Sequence, residues 1–557
     1  MKPSMGLPLL AWVAGTLAAS SPHFQRQATE CASLTAPEVS GASVVSITAA
    51  ERRGVQMAFS TTSLDICDVN VTLTHGTAND KVRIEVWMPL EGWNGRFQGT
   101  GGGGFIAGTF GIAMAPAVAD GYAAASTDAG LATTFDGKSN SPNGSSNAAS
   151  GTALGTNTQL LTNFASLSYH EMAIVGKALT KSFYGNAPSF SYWNGCSTGG
   201  RQGMSEAQAF PDDFDGILAM APAINWNQFV TAELWPYAVM NSAQEFPSAC
   251  VFNALQQATI TSCDANDGAR DQLIADPAAC DFDSQTIVGQ SVTCDGATEK
   301  ITSAQAAVYS QILQGPIAAN GTQLWFGLEP GTSPTTLATT EPFSLPATWI
   351  QDIVDKGSGN VNISAVNVDT FPDVLQLSET TFADIIATNN PDLSAFKAAG
   401  GKLLTWHGLA DQLIFPQGTF DYVERVQAAM GGREAVDEFY RVFAAPGVQH
   451  CAGGTGPEPS GALDALVSWV ENGTAPDTLA ASKTTMNATV TRNLCRFPMV
   501  LQYKGSGDIN AADSWACVNS SATQADQALV TALAPKIAVS QTAIVLLSLV
   551  LGLWAYK

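Results

Sequence analysis

The chain has 557 residues, 45% of them apolar, which is enough for a sizeable core and about two to four domains and excludes an intrinsically disordered protein. Its 25 basic and 48 acidic residues give a net charge of −23. Because the basic residues form no run, the composition predicts no nucleic-acid partner.

Residues 1–20 have the three parts of a secretory signal peptide. Lys2 supplies the charge, residues 6–17 are apolar, and residues 18–20 are small. This apolar run is too short for a transmembrane helix. We therefore expect a secreted, extracellular protein whose ten cysteines form five disulfide bonds rather than bind a metal.

Charged residues make up only 13% of the chain, so attached sugar is expected to help keep the surface soluble. The candidate N-glycosylation sites are the seven N-x-S/T sequons at Asn70, Asn143, Asn320, Asn362, Asn472, Asn487 and Asn519. Sequons also arise by chance in a sequence rich in Asn, Ser and Thr, so we expect glycans at only some of them.

Strand and helix patterns alternate along the chain. Residues 82–88 alternate as a half-buried strand does, and a run of glycines at 101–104 follows. Helical spacing covers residues 160–184. A short strand pattern at 189–193 then runs through a glycine turn into a helix that starts near Arg201. Further strand patterns lie at 216–226, 402–406 and 438–447.

This alternation favours an α/β fold with a mostly parallel sheet covered by helices on both faces. Residues 225–400 differ, because they hold four cysteines and many short loops. We therefore predict a signal peptide at 1–20, a catalytic domain made of 21–224 and 401–518, an inserted domain at 225–400, and a spacer with a hydrophobic tail at 519–557.

The tail is largely apolar from residue 537 to residue 556, and only Lys557 follows it. Small residues and a spacer precede it, an order that resembles a glycosylphosphatidylinositol (GPI) attachment signal, whose tail is removed. Such an anchor would hold the protein at the cell surface. A retained tail helix, and no membrane role at all, are the alternatives.

The candidate nucleophile is Ser197, within the pattern G-x-S-x-G formed by residues 195–199. Glycines on both sides allow the tight strand-to-helix turn that exposes a serine hydroxyl above a sheet edge. The pattern is short, so an ordinary loop serine is the alternative interpretation.

A serine hydroxyl needs a general base, usually histidine. In this type of fold the order along the chain is Ser, Asp or Glu, then His. Of the five histidines, only His407 and His450 follow Ser197. Asp411 and His450 both come after predicted buried strands and complete a candidate triad. His407 is better interpreted as a residue that supports the turn at Asp411.

Cysteines flank both ends of this candidate triad. Cys196 directly precedes Ser197, and Cys451 directly follows His450. A bond between them would close a loop of 255 residues and hold nucleophile and base together, where a small misplacement is costly in rate. We therefore predict a Cys196–Cys451 disulfide.

Three segments together are similar to the tannase/feruloyl esterase family of secreted hydrolases: "YWNGCSTGGRQGMSEAQAFPDDFDGILAMAPAINW", "HGLADQLI" and "FAAPGVQHCAGG". The similarity covers nearly all of the mature chain. It implies an α/β-hydrolase core, a large lid inserted after the nucleophile helix, and hydrolysis of esters of aromatic acids.

The resemblance also assigns other residues. The glycine loop implies oxyanion donors at Gly102 and Gly103, together with the N–H of Thr198, the residue after the nucleophile. A flexible glycine turn is the alternative interpretation.

The acidic segment 263–271 resembles the calcium loop of the family's lid. This implies a structural Ca²⁺ ion, with ligands from the side chains of Asp264, Asp267 and Asp271 and the backbone carbonyls of Ala269 and Leu273. A solvated acidic turn is the alternative. The family also suggests a Cys263–Cys280 disulfide. Cys495–Cys517 and Cys31–Cys67 are local pairings, which leaves Cys250–Cys294.

These features predict a serine carboxylic ester hydrolase that acts by double displacement. Its substrates are expected to be feruloyl, other hydroxycinnamoyl or galloyl esters, either small molecules or groups linked to a polysaccharide. An acyltransferase or esterase of small-molecule biosynthesis is the first alternative. A non-catalytic cell-surface glycoprotein is the second.

Overall fold

The computed structural model describes residues 29–56, 63–78, 80–131, 146–294, 296–486 and 488–520. The predicted signal peptide, the tail beyond residue 520, and the sequons at Asn143 and Asn487 lie outside these residues. Among the described sequons, Asn70 is half-buried and the others are exposed. No helix in the described ranges is long and apolar enough to cross a membrane.

The described residues form a central nine-stranded sheet and three small antiparallel sheets. The strands are β1 (Ser43–Gln56), β2 (Ser63–Thr74), β3 (Val82–Pro89), β4 (Arg96–Thr100), β5 (Ala123–Thr127), β6 (Phe190–Cys196), β7 (Gly216–Met220), β8 (Ser291–Cys294), β9 (Ala297–Lys300), β10 (Lys402–Gly408), β11 (Tyr440–Ala445), β12 (Glu458–Pro459), β13 (Thr478–Thr484), β14 (Thr489–Cys495), β15 (Met499–Tyr503) and β16 (Trp515–Asn519).

Helices connect and cover these strands. They are α1 (Phe110–Ala119), α2 (Ser146–Thr156), α3 (Thr158–Thr162), α4 (Ser168–Tyr184), α5 (Thr198–Ala209), α6 (Trp226–Ala232), α7 (Trp235–Ala243), α8 (Ala249–Cys263), α9 (Ser303–Gln314), α10 (Ser344–Thr348), α11 (Phe371–Thr380), α12 (Ala383–Ile386), α13 (Ser394–Ala398), α14 (Gln417–Ala429), α15 (Arg433–Asp437) and α16 (Ala462–Asn472). Asn163–Leu167 and Trp349–Val354 form π-helical turns, and short 3₁₀ turns complete the set.

The central sheet has the strand order β1-β2-β3-β5-β4-β6-β7-β10-β11. From β5 to β11 every neighbouring pair is parallel, whereas β1, β2, β3 and β5 pair in antiparallel fashion. The predicted α/β fold with a mostly parallel sheet is therefore confirmed. Parallel strands bring their carboxyl ends to one edge of the sheet, and β6, β10 and β11 all end there.

Successive residues of a central strand point to opposite faces, and both faces are buried. Trp193 and Leu403 pack in one apolar cluster with helices α4, α5 and α14. Their neighbours Tyr192 and Leu404 pack in a second cluster with α1 and α16. This double coverage explains why adjacent residues of these strands, such as Leu403 and Leu404, are both apolar and buried.

Residues 225–400, here called the insertion, contribute no strand to the central sheet within the described part of the chain. Their helices form a third apolar cluster around Trp226, Trp349 and Phe371. Leu154 of α2 and Phe164 join the same cluster from outside the insertion. The layer that covers the sheet edge is therefore wider than the insertion, and the predicted domain boundaries stay a prediction.

Candidate active site

Ser197 lies on the sharp turn between β6 and α5. Its backbone has φ +63° and ψ −125°, a conformation that non-glycine residues rarely adopt. The turn needs glycine at its flanks, because a Cβ atom at Gly195 would lie only 2.6 Å from the backbone of Gly199. The sequence thus builds a strained turn that holds the hydroxyl above the sheet edge.

The structure brings the three candidate catalytic side chains together. Nε2 of His450 lies 2.9 Å from Oγ of Ser197. Nδ1 of the same ring lies 2.8 Å from Oδ2 of Asp411. A carboxylate can only accept at Nδ1–H, so Nε2 is left to accept the serine hydroxyl hydrogen. This is the geometry of a nucleophile, its base and the group that orients the base.

Asp411 is fully buried and strongly held. The backbone N–H groups of Leu413 and Ile414 donate to its Oδ1, each at 2.9 Å. Nε2 of His407 lies 3.1 Å from its Oδ2 and 2.9 Å from the carbonyl oxygen of Ile414. Both neighbours accept, so this nitrogen carries a hydrogen, and Nδ1 accepts from Thr419. His407 lies within β10, not in a loop as the sequence suggested, and it contacts the Asp411 turn as expected.

These contacts decide the charge of Asp411. Burial alone would raise the pKa of the carboxyl group, but electrostatic attraction to His450 and the hydrogen bonds from His407 and His450 outweigh it. The net effect lowers the pKa of Asp411 well below its ordinary value. The group is therefore ionised at any working pH.

A disulfide joins Cys196 to Cys451, with 5.9 Å between their Cα atoms and 255 residues between them in sequence. It ties the residue before the nucleophile to the residue after the base. Four further bonds join the pairs named from the sequence: Cys31–Cys67, Cys250–Cys294, Cys263–Cys280 and Cys495–Cys517. No free cysteine is found in the described ranges.

The glycine loop differs from the expectation. The N–H of Gly102 donates to the side chain of Gln202 at 3.1 Å, and the N–H of Gly103 donates to the carbonyl of Ile106 at 3.0 Å. Both N–H groups thus have partners in this structure, and their assignment as oxyanion donors stays a prediction. Gly104 lines the cavity beside Ser197 and Thr198 instead, and its carbonyl accepts a hydrogen bond from the Thr198 hydroxyl. A run of four glycines gives no signal of which one lies nearest to the serine.

The triad opens into a cavity of about 330 Å³, its mouth included. Its walls come from the core and from the insertion, and they are mostly aromatic and aliphatic. The lining residues are Gly104, Phe105, Ser197, Thr198, Ala223, Trp226, Phe229, Val230, Glu233, Leu345, Leu413, Ile414 and His450.

Sequence reasoning missed the walls of this cavity, and Glu233 above all. The available signal was that Glu233 is an acidic residue directly after α6, a helix without charged residues.

The acidic loop at the end of α8 buries Asp264 and Asp267, while other residues of the loop are exposed. Oδ1 of Asp264 accepts from the N–H of Asp271, and Oδ1 of Asp267 accepts from the N–H of Ala269. Oδ2 of Asp271 lies 2.6 Å from the guanidinium of Arg492. Oδ2 of Asp267 is buried without a partner among the described residues. Burial, with the charges of Asp271 and Asp264 added, raises the pKa of Asp267 to about 7.

The donors fit a hard cation in part. Oxygen ligands suit calcium, and the unpaired Asp267 oxygen would gain from a positive charge. Arg492, however, already neutralises Asp271. In the described ranges, no three Asp, Glu, His or Cys side chains converge as they would around a metal ion. Calcium binding therefore stays a prediction.

The sequence model of the family described as "Tannase and feruloyl esterase" matches residues 67–518. A probable feruloyl esterase of Arthroderma benhamiae is 46% identical over 513 residues, which cover 88% of this chain and 94% of that protein. Feruloyl esterase B of Aspergillus niger is 32% identical, with coverages of 85% and 90%.

Two solved structures have the same fold. Tannin acyl hydrolase from Aspergillus niger has a TM-score of 0.77 and 27% identity, and the match covers 87% of this chain and 93% of that one. Feruloyl esterase B from Aspergillus oryzae has a TM-score of 0.74 and 27% identity, with coverages of 86% and 98%. The chain therefore belongs to the tannase and feruloyl esterase family, a family of carboxylic ester hydrolases with the α/β-hydrolase fold.

Proposed function

We propose that this protein is a secreted serine esterase that hydrolyses esters of phenolic acids by double displacement. The observation that carries the proposal is the continuous hydrogen-bonded chain from Ser197 through His450 to the ionised Asp411. The names of the relatives, feruloyl esterase and tannin acyl hydrolase, support a feruloyl, other hydroxycinnamoyl or galloyl acyl group. The alcohol is a small molecule or a polysaccharide.

The first half of the reaction forms an acyl-enzyme. Oγ of Ser197 attacks the ester carbonyl carbon while Nε2 of His450 takes the hydroxyl proton. The carbonyl oxygen becomes an oxyanion, which the N–H of Thr198, in the first turn of α5, and a donor from the loop at Gly104 would stabilise. His450 then gives its proton to the leaving alkoxide, and the alcohol departs.

The second half returns the enzyme to its starting state. Water enters, His450 takes one of its protons, and the hydroxide attacks the acyl carbon. The second oxyanion collapses, the bond to Oγ of Ser197 breaks, and His450 returns the proton to the serine. Asp411 stays ionised throughout and stabilises the imidazolium in both halves.

Secretion rests on the signal-like residues 1–20 and on the five disulfide bonds, which persist in oxidising compartments. A cell-surface GPI anchor rests on the order of small residues, spacer and apolar tail at 519–557. Release of the protein from cells by a phosphatidylinositol-specific phospholipase would support the anchor. Resistance to the enzyme, with the protein still in the membrane fraction, would indicate a retained helix instead.

The experiment for the esterase compares methyl ferulate, methyl caffeate and methyl gallate with a plain acetate ester, for the wild type and for Ser197→Ala. We expect serine-dependent release of at least one aromatic acid and a loss of more than about 10⁴-fold in the variant, because the triad acts as a unit. An unchanged melting temperature is the folding control. Hydrolysis of the acetate alone would refute the phenolic assignment. Ester formation with an added alcohol, without hydrolysis, would indicate the acyltransferase.

A further inference from the structure

One side chain in the cavity wall has no role in the proposed chemistry. Glu233 directly follows α6, and its backbone N–H donates to the carbonyl of Phe229 at 3.1 Å. Glu233 lines the same cavity as Ser197 and His450. No hydrogen bond joins it to either of these two in the described part of the molecule, so it is not a fourth member of the triad.

Glu233 is buried, and one of its two carboxyl oxygens is unpaired within the described part of the chain. Only 1% of the residue is exposed, and its Oε2 has no hydrogen-bond partner among the described residues. None of the ion pairs between described residues includes it. A buried carboxyl group in this situation is costly unless it is neutral or a ligand satisfies it. The unpaired carboxyl oxygen lies at the wall of the candidate active site, where a bound ligand could satisfy it.

The surroundings favour the protonated form of this carboxyl group. Burial raises the pKa of Glu233 well above its ordinary value, and the negative charge of the nearby Asp411 raises it further. A protonated carboxyl group has one O–H donor and one carbonyl acceptor. A phenolic hydroxyl has the same two capacities, so the two groups can form hydrogen bonds in either direction.

The rest of this wall suits an aromatic ring. Trp226 packs edge-on against Phe105 and Phe229, with ring centroids 5.8 and 5.5 Å apart. Nε1 of Trp226 is also buried without a partner in the described ranges. The wall thus combines flat apolar surface with polar atoms that have no hydrogen-bond partner among the described residues. Sites that orient small ligands usually have this composition.

We propose that Glu233 determines acyl-group specificity by hydrogen bonding to a ring hydroxyl of the phenolic acid, an assignment that rests on the proposed esterase function. An acyl group without that hydroxyl would leave a buried carboxyl unpaired in the transition state. Sites that hydrogen-bond a substrate hydroxyl reject the analogue that lacks it far more strongly than apolar pockets reject a missing methylene.

The test measures kcat/KM for two esters that differ only in the hydroxyl, methyl 4-hydroxycinnamate and methyl cinnamate. For the wild type we expect the hydroxylated ester to be preferred by at least about 10-fold, because the other ester leaves a buried carboxyl group unpaired. Glu233→Leu removes both hydrogen-bonding atoms and should bring the ratio close to one. Glu233→Gln, which still donates and accepts, is the matched control and should keep most of the preference.

Each outcome bears on a different claim. An unchanged ratio in Glu233→Leu would overturn this assignment and leave the esterase function intact. A wild type that hydrolyses only acetate esters would overturn both. If Glu233→Leu does not fold, Glu233→Met, which is unbranched and of similar length, takes its place with the same expected ratio. A general fall in kcat for both esters with the ratio preserved would show a merely structural role and refute the proposal.

Discussion

Two carboxyl groups of this active site are almost equally buried and yet have opposite electrostatic character. Asp411 is 0% exposed and Glu233 is 1% exposed. Asp411 accepts hydrogen bonds from two backbone N–H groups and from two histidine rings, which lower its pKa. Oε2 of Glu233 has no such partner among the described residues, and its pKa is raised.

The difference shows that burial by itself does not decide the charge of a carboxyl group. Burial disfavours the ionised form in both cases, and the outcome depends on whether hydrogen-bond donors and positive charge offset it. Carboxyl groups driven apart in this way take different roles at one site. Here Asp411 is proposed to stabilise an imidazolium, and Glu233 is proposed to bind a neutral phenol.

The largest effect is expected when the charge of Asp411 is removed. Asp411→Asn keeps the shape of the side chain but offers His450 an amide in place of a carboxylate. We expect kcat for methyl ferulate to fall by about 10⁴-fold, because the imidazole loses its correct tautomer and its counter-charge. Steady-state kinetics with a melting curve would check this. Retention of more than a tenth of kcat would mean that the charge has no catalytic importance.

The Cys196–Cys451 bond supports the triad, to which Asp411 belongs, because it links the neighbours of Ser197 and His450. It does not hold Glu233. Replacement of both cysteines by alanine should destabilise the fold by about 2–5 kcal/mol and lower kcat, because the triad loses its alignment. The preference for hydroxylated rings should not change, since Glu233 is not held by this bond. Calorimetry and kinetics on the two cinnamate esters would measure these effects.

The matched control removes Cys31 and Cys67, whose bond lies at the far edge of the sheet and closes a shorter loop of 36 residues. That variant should lose stability while its kcat/KM stays within about twofold of the wild type. Equal losses of activity in both double variants would mean that the bond beside the triad has no special role.

Asp267 extends the comparison to a buried carboxyl group that a metal ion could satisfy. If Ca²⁺ binds there, removal of calcium with a chelator should lower the melting temperature by several degrees, because a ligand that binds only the folded state stabilises it. Asp267→Asn should be insensitive to the chelator. An identical melting curve with and without chelator in the wild type would favour a plain acidic turn.

Glu329 is a buried carboxyl group outside the cavity. Like Glu233 it has a raised pKa, and the pH dependence of folding stability can test whether burial causes such a shift. Burial, with the charge of Asp276 added, raises the pKa of Glu329 to about 8, although a hydrogen bond with Gln417 opposes this. Above its ordinary pKa the unfolded chain releases the proton while the folded chain keeps it. Stability attributable to this group is therefore lost as pH rises toward 8.

Glu329→Gln removes this ionisation. The variant should match the wild type near pH 4.5 and become progressively more stable than it between about pH 5 and pH 8. Melting temperatures across that range would measure the difference. A constant offset at all pH values would show that Glu329 titrates normally.

Much of the chemistry was readable from the sequence because it depends on local patterns. The glycines around Ser197 determine a turn, and the order of Ser197, Asp411 and His450 follows from which strands end at the same sheet edge. Cysteines beside two of these residues predicted a bond that spans the chain. The supporting role of His407 followed from its position four residues before Asp411.

Other features depended on contacts that no local pattern encodes. The conformation of the glycine loop depends on hydrogen bonds from Gly102 to Gln202 and from Gly103 to Ile106. These contacts decide which glycine lies beside Ser197. The cavity walls come from the insertion, whose helices pack through contacts between residues that are distant in the sequence. Its boundaries could not be judged from composition, since α2 packs into the same layer.

The sequence by itself determined which groups are candidates for the chemistry: the proposed nucleophile, its base, the orienting carboxylate and the cysteines that join their neighbours. Their identities follow from chemistry and from chain order, which are both local or one-dimensional information. Only the tertiary structure decided the environment of each group. Asp411 and Glu233 are both ordinary acidic residues in the sequence, and their opposite electrostatic states arise from which donors and charges the fold brings within reach.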